Sequence, residues 1–276
     1  MLTKPRIVRT FRSDIKSCKD YYLSDRDMCI ICCDGKFGLA EKLGNGRLDI
    51  LIDCQYDYID PFCYGYCYSN AVGVVLNGKW GLYVFKYTVN SKSRKIDCIQ
   101  ISECEFDNIN VGKNSEIFIL NKKDSCRYYN LNTNSLSEKC EGILFEDKDC
   151  LGCYAENTTR WIDAYTDTII YSTESLTFPE ILSRDVYLFA KYDFDGENLI
   201  YSNINSNLVF FNRNLRVSYV IEDIRNLTVT RNGFESFEEN IVFIFGKDNK
   251  KYIITVNNDE WNIEDIKEIS KEVEYM

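Results

Sequence analysis

Two stretches of the chain are copies of one another. Met28-Cys29-Ile30-Ile31-Cys32-Cys33 runs into Asp34-Gly35-Lys36-Phe37-Gly38, and Ala71-Val72-Gly73-Val74-Val75-Leu76 runs into Asn77-Gly78-Lys79-Trp80-Gly81, an offset of 43 residues. A repeat of this length constrains the fold more than any other feature. A unit that small cannot cover its own apolar face and must stack on neighbours.

Each copy ends, after a variable stretch, in aromatic-acidic-x-Ile: Tyr56-Asp57-Tyr58-Ile59 and Phe106-Asp107-Asn108-Ile109. Weaker endings are Phe11-Arg12-Ser13-Asp14-Ile15, Cys140-Glu141-Gly142-Ile143, Phe178-Pro179-Glu180-Ile181, Ile221-Glu222-Asp223-Ile224 and Ile263-Glu264-Asp265-Ile266. The isoleucines mark intervals of about 42 residues. A second marker, basic then aromatic, occurs at Lys36-Phe37, Lys79-Trp80, Arg127-Tyr128, Arg160-Trp161 and Lys251-Tyr252, each in a different interval. Val209-Phe210 fills the slot in the fifth interval without the basic residue.

Within a unit the pattern is strand, turn, strand. Ala71 to Leu76 is a short apolar run, and Asn77-Gly78 is the residue pair that a two-residue hairpin with two positive φ angles favours. Glu156-Asn157-Thr158-Thr159 and Gly246-Lys247-Asp248-Asn249 take the turn's place later on. Ile241 to Phe245 and Tyr252 to Val256 are rich in β-branched and aromatic residues. Helical periodicity shows only from Ile263 to Tyr275. Repeats of this size, each a few antiparallel strands, predict an all-β, six-bladed β-propeller, with an open β-solenoid of the same repeats as the alternative. The expected units are 16–59, 60–109, 110–143, 144–181, 182–224 and 225–266, in one repeat domain spanning 1–276. The termini would close the ring: residues 1–26 carry seven basic and three acidic side chains, and 260–276 six acidic and two basic.

Lys36-Phe37-Gly38-Leu39 and Lys79-Trp80-Gly81-Leu82, with the endings at 56–59 and 106–109, resemble the WG (KWG) repeats of bacterial proteins. The resemblance is closest over residues 28–109; farther on, Tyr129, Ile162, Phe211 and Ile253 replace the signature glycine. It implies a β-rich repeat scaffold that mediates binding, and it transfers no catalytic residue.

The 276 residues include no histidine, which removes Ser-His-Asp and Cys-His catalysis, histidine metal sites and histidine pH switching. A net charge of -10 argues against nucleic acid and anionic membranes as direct partners. No stretch approaches the roughly 18 apolar residues of a membrane span, and no signal-peptide core follows the basic N-terminus. Thirteen cysteines without an export signal fit a reduced, cytoplasmic protein.

Cys29, Cys32 and Cys33, with Cys150 and Cys153, have spacings compatible with a zinc site. Against that, the first three occupy the slots of Val72, Val75 and Leu76, and Cys54 and Cys104 share one slot, so packing is the expected role. No metal and no cofactor are expected. Paired carboxylates such as Asp193 and Asp195 or Glu222 and Asp223 lack the spacing that would single out a glycosidase pair. Asp57, Asp107, Glu141, Glu222 and Glu264 share a turn slot, where a carboxylate accepts backbone hydrogen bonds. Asp193-Phe194-Asp195-Gly196-Glu197 fails as a calcium loop, because its twelfth position is Ile204, and reads as a hairpin.

Phe62, Tyr64, Tyr66 and Tyr68 alternate with small residues, so an extended strand presents all four on one face. That face and Trp161 are the candidate partner-binding residues, with packing between neighbouring sheets as the competing role. The expected function is a monomeric, non-enzymatic protein-binding module. It would act as adaptor or inhibitor of a protein partner, including one with a basic, nucleic-acid-handling surface. The alternative is a small-ligand binder or hydrolase using a central channel.

Overall fold

A computed structural model describes residues 5–13, 26–62, 70–90, 93–174, 177–183, 186–195, 198–212, 215–232, 240–257 and 267–269. The chain divides into two compact units, Met1–Gly142 and Ile143–Met276, each a run of antiparallel sheets. No helix occurs among the described residues, so none is long and apolar enough to cross a membrane.

The first unit holds three four-stranded meanders. The first comprises β1 (Arg6–Ser13), β2 (Arg26–Cys33), β3 (Lys36–Lys42) and β4 (Leu48–Tyr56). The second comprises β5 (Tyr58–Asp60), β6 (Ala71–Leu76), β7 (Lys79–Asn90) and β8 (Ser93–Phe106). The third comprises β9 (Asn108–Val111), β10 (Ile117–Lys122), β11 (Ser125–Asn130) and β12 (Ser135–Leu136). In the second unit, β13 (Gly142–Glu146), β14 (Cys150–Ala155), β15 (Thr158–Asp163) and β16 (Ile169–Thr173) form a fourth such sheet. A seven-stranded sheet comes next, from β17 (Thr177–Ser183) through β18 (Val186–Asp195), β19 (Asn198–Asn212), β20 (Val217–Asn232), β21 (Asn240–Lys247) and β22 (Lys250–Asn257) to β23 (Lys267–Ile269).

The long β20 explains the odd number. Up to Arg225 it pairs with β19, and from Arg225 onward with β21, with register shifts in both ladders near the changeover. The marker Ile221-Glu222-Asp223-Ile224 sits at that changeover. At the first two junctions the same marker is where one sheet ends and the next begins: Asp57 alone separates β4 from β5, and Asp107 alone separates β8 from β9. Seven strands are therefore two meanders sharing one strand.

Unit boundaries expected at the isoleucines fall a few residues late. Ile59, Ile109, Ile143 and Ile181 each lie in the first strand of the following sheet, and Ile224 lies within the shared β20. The endings at Ile15 and Ile266 lie outside the described residues. Lys267–Ile269 pairs with Lys251–Ile253 as strand, so the helical periodicity of the C-terminal stretch does not decide its structure. Each terminal strand completes the sheet at its own end of the chain, β1 beside β2 and β23 beside β22.

Inner strands are buried on both faces, and alternate residues serve different cores. In β7, Phe85 packs with β2–β4 residues Met28, Leu39 and Ile52, while Leu82 and Val84 pack with β10 residues Phe118 and Leu120. In β19, Val209 and Phe211 join Cys150 and Trp161, while Leu208 and Phe210 join Phe243 and Phe245. Both faces being apolar is why these strands read as continuous hydrophobic runs.

The turns obey the residue chemistry. Asn77 and Gly78 take φ of 53° and 73°, and Asp34 and Gly35 take 51° and 79°. Glu156-Asn157 and Asp248-Asn249 reach the same left-handed region without glycine. The pairing of β18 with β19 continues to Asp195–Asn198, as a hairpin requires.

The signature glycines have a different task. Phe37 is opposite Tyr56, but Leu39 is opposite Ile52, so Gly38 alone faces Asp53, Cys54 and Gln55 of β4. In the next sheet Trp80 is opposite Phe106 and Leu82 opposite Ser102, the same bulge around Gly81. A Cβ on Gly38 would lie 2.5 Å from the Ile52 carbonyl oxygen, and one on Gly81 2.9 Å from that of Ser102. Where Tyr129, Phe211 and Ile253 replace the glycine, the ladder runs in step, Tyr129 opposite Leu136 and Phe211 opposite Ser218. The glycine disappears together with the wide bulge that required it.

Gly38→Ala should therefore destabilise the fold by about 2–3 kcal/mol, because the clash is with backbone that cannot move aside. Gly44→Ala, where an added Cβ meets open space, should stay within about 0.5 kcal/mol. Urea unfolding of the two variants checks this; equal costs would refute the close-approach account.

Candidate functional site

The two repeat markers turn out to be partners. With Phe37 opposite Tyr56 and Trp80 opposite Phe106, the preceding lysines are brought to the acids at the sheet junctions. The Lys36 ammonium reaches Asp57 Oδ1 at 2.5 Å, and Lys79 pairs likewise with Asp107. The second oxygen of each carboxylate accepts a backbone N–H from the hairpin turn of the following sheet. Asn77 N–H donates to Asp57 and Lys123 N–H to Asp107, both at 2.7 Å. Asp57 and Asp107 also donate their own N–H to Val75 and Asn121 carbonyls. Each acid thus ties the third strand of one sheet to the second strand and turn of the next. The lysine hydrogen bond, then the turn N–H, hold both carboxyls below the usual carboxylate range.

Around these junctions the surface is acidic and partly aromatic. The bulged strands carry Asp53 and Gln55 in the first sheet, and Glu103 and Glu105 at the same positions in the second, all exposed. Glu105 pairs with Lys122 at 2.8 Å. Beside Asp57 stands Tyr58, 47% exposed, edge-on to the Trp80 ring with centroids 6.2 Å apart. Tyr58, Val75, Trp80 and Phe106 are successive cross-strand partners in one row of the second sheet. The row's far end, Phe106, is buried and its near end, Tyr58, is open. Tyr58 is thus an exposed aromatic backed by packed rings and rimmed by charge.

The expected site residues are distributed differently. Phe62 is half-buried, stacked on Trp80 at 6.5 Å and against Phe118 at 5.5 Å, so it fills the space between the second and third sheets. Its left-handed φ of 54° is held by its N–H donating to Asp60 Oδ1. Tyr64, Tyr66 and Tyr68 lie outside the described residues. Trp161 is corrected from surface to core. It is 0% exposed, enclosed by Cys150, Ile170, Tyr187, Val209 and Phe211, and it lies over Gly152, where a Cβ would come within 2.5 Å of the ring. A fully enclosed ring has no area to offer a partner.

Tyr58 stands out in the sequence only as a repeat marker. The signal that could have found it is its slot, because Asn108 takes that place at the next junction and an aromatic there is not needed for the fold.

The cysteines pack as their slots imply. Cys29 lies with Ile31 and Ala40, and Cys54 and Cys104 make the same contact, thiol to the Ile31 and Val74 carbonyls. Burial pushes the Cys150 thiol up to about 12, which disfavours the thiolate a metal would need. The chain matches no family model and no curated protein.

Because Asp57 and Asp107 titrate lower in the fold than unfolded, their contribution is present above about pH 4 and lost as pH falls through the depressed folded values. The Asp57→Asn/Asp107→Asn double variant should have a lower urea midpoint than wild type at pH 6, and the two should converge towards pH 2. Parallel curves across that window would refute the latch.

Proposed function

We propose that this chain is a non-enzymatic binding module, a six-bladed WG-repeat-like propeller that acts as adaptor or inhibitor of a basic protein partner. The observation that carries the reading is the exposed Tyr58, backed by Trp80 and set among exposed acids at equivalent positions of successive sheets. Successive four-stranded meanders, the first three joined through the one-residue corners Asp57 and Asp107, with one strand shared in the last sheet, are compatible with six blades. An excess of ten negative charges speeds and orients encounter with a basic surface, and a tyrosine adds contact area at little entropic cost. A protein that handles nucleic acid presents such a surface, and an acidic binder would occlude it. The setting we assign is the cytoplasm, where the thiols of this cysteine-rich chain stay reduced.

Pull-down from native lysate, with mass spectrometry of the retained proteins, tests this. We expect a stoichiometric basic protein held at about 50 mM salt and released by about 0.5 M. Retention should also fall at least tenfold with Tyr58→Ser or with Glu103→Lys/Glu105→Lys. Retention unchanged by salt and by both variants, or no retained protein, would refute the reading.

A further inference from the structure

Cys126 on β11 and Cys140, just after β12, form an isolated antiparallel bridge. The two residues exchange both backbone hydrogen bonds, Cys126 N–H to the Cys140 carbonyl at 2.8 Å and Cys140 N–H to the Cys126 carbonyl at 2.9 Å. Residues paired in this way have Cα atoms about 5.5 Å apart, a span that a disulfide bridges without backbone movement. Their side chains leave the same face of the ladder, and the sulfurs stand 3.3 Å apart. Both residues are in the thiol form, and they are 3% and 6% exposed. Nothing in the repeat calls for this arrangement, since the first two copies have Gly35 and Gly78 in the slot of Cys126 and Tyr56 and Phe106 in that of Cys140.

We propose that Cys126 and Cys140 are a modification site, a dithiol that hydrogen peroxide converts to an intramolecular disulfide. One sulfur attacks a peroxide oxygen, breaking the O–O bond and giving a sulfenic acid and water. The second sulfur then displaces water from the sulfenic sulfur. Two S–H bonds and one O–O bond are lost, one S–S bond forms, two waters leave, and two electrons pass from the sulfur pair to the peroxide.

The contact with Cys140, then burial, hold Cys126 protonated. Protonation slows the pair towards every oxidant, and burial shuts out bulky disulfides, so an excess of a small oxidant is what reaches it. The bond would fasten β11 to the segment that leads into Glu141 and Gly142, the end of the first unit. It closes a short loop around β12, whose two residues give it little hold of its own.

Trypsin separates the two cysteines cleanly, placing them in peptides 124–127 and 140–148. Reduced full-length protein is treated with excess hydrogen peroxide, blocked with iodoacetamide, and digested. The expected result is one species joining the two peptides, two hydrogens lighter than their sum and split by a reductant. The thermal midpoint should rise by about 5 °C over the reduced protein. In Cys140→Ala, peptide 124–127 should be recovered unlinked. Recovery of both wild-type peptides separately, or Cys126 joined to a different cysteine, would overturn the proposal; the wild-type digest decides even if the variant folds poorly.

Discussion

When Phe37 lies opposite Tyr56 and Trp80 opposite Phe106, the register also fixes which charged groups meet at the sheet junctions. The lysine before each signature aromatic meets the acid after each ending. That acid, one residue past its own sheet, takes an N–H from the next sheet's turn. An exposed ion pair alone contributes little. Here the pair also directs a carboxylate at a turn N–H, so one side chain fixes where one sheet stops and the next begins. Hydrophobic contact between Met28, Leu39, Val72 and Phe85 can then form with a set stacking distance.

The wide bulge is the geometric condition for this latch. In β4 and β8, three residues pass each glycine where a regular ladder would place one, and the chain returns in phase for the aromatic pair. Glycine is required because the bulged backbone passes where a Cβ would be. Two later meanders keep the aromatic pair without the wide bulge, Trp161 opposite Tyr171 and Phe210 opposite Tyr219, whereas Tyr252 lies opposite Glu268. At the other end of the third strand, later sheets carry a polar cap. Asn130, Asp163 and Asn212 each accept an N–H from the turn just beyond, from Asn132, Thr166 and Leu215. The motif fades after the second copy because the glycine and its wide bulge are lost together, while strand order persists.

These local rules explain how much of the architecture is legible in the sequence. Turn residues, β-rich composition and the spacing of Lys36/Lys79 and Asp57/Asp107 report local register, and each is written in a few adjacent residues. The Phe178-Pro179-Glu180-Ile181 ending misleads because Trp161 takes Tyr171 as its partner, and Phe178 belongs to the next strand. Spacing alone cannot distinguish an aromatic that closes one sheet from one that opens the next. The sharing of β20 is also hidden, since a strand serving two meanders has the same composition as two strands in succession. Trp161 and Phe62 depart from expectation for a related reason: alternation shows that aromatics share a face, but not whether another sheet covers it.

The burial pattern bears directly on where binding can occur. Inner strands such as β7 and β19 give one face to each neighbouring core, so neither face is left for a partner. What remains is the strand ends, the turns and the outer edges. At those places the fold asks only for an acid at the junction and a residue tolerant of the turn. Tyr58 exceeds that requirement: Asn108 performs the same structural task in the next sheet, and a ring 47% exposed over Trp80 adds area to solvent rather than to a core. A large aromatic placed where the architecture needs none is what the proposed binding role rests on, and under that proposal its acidic surroundings call for a basic partner.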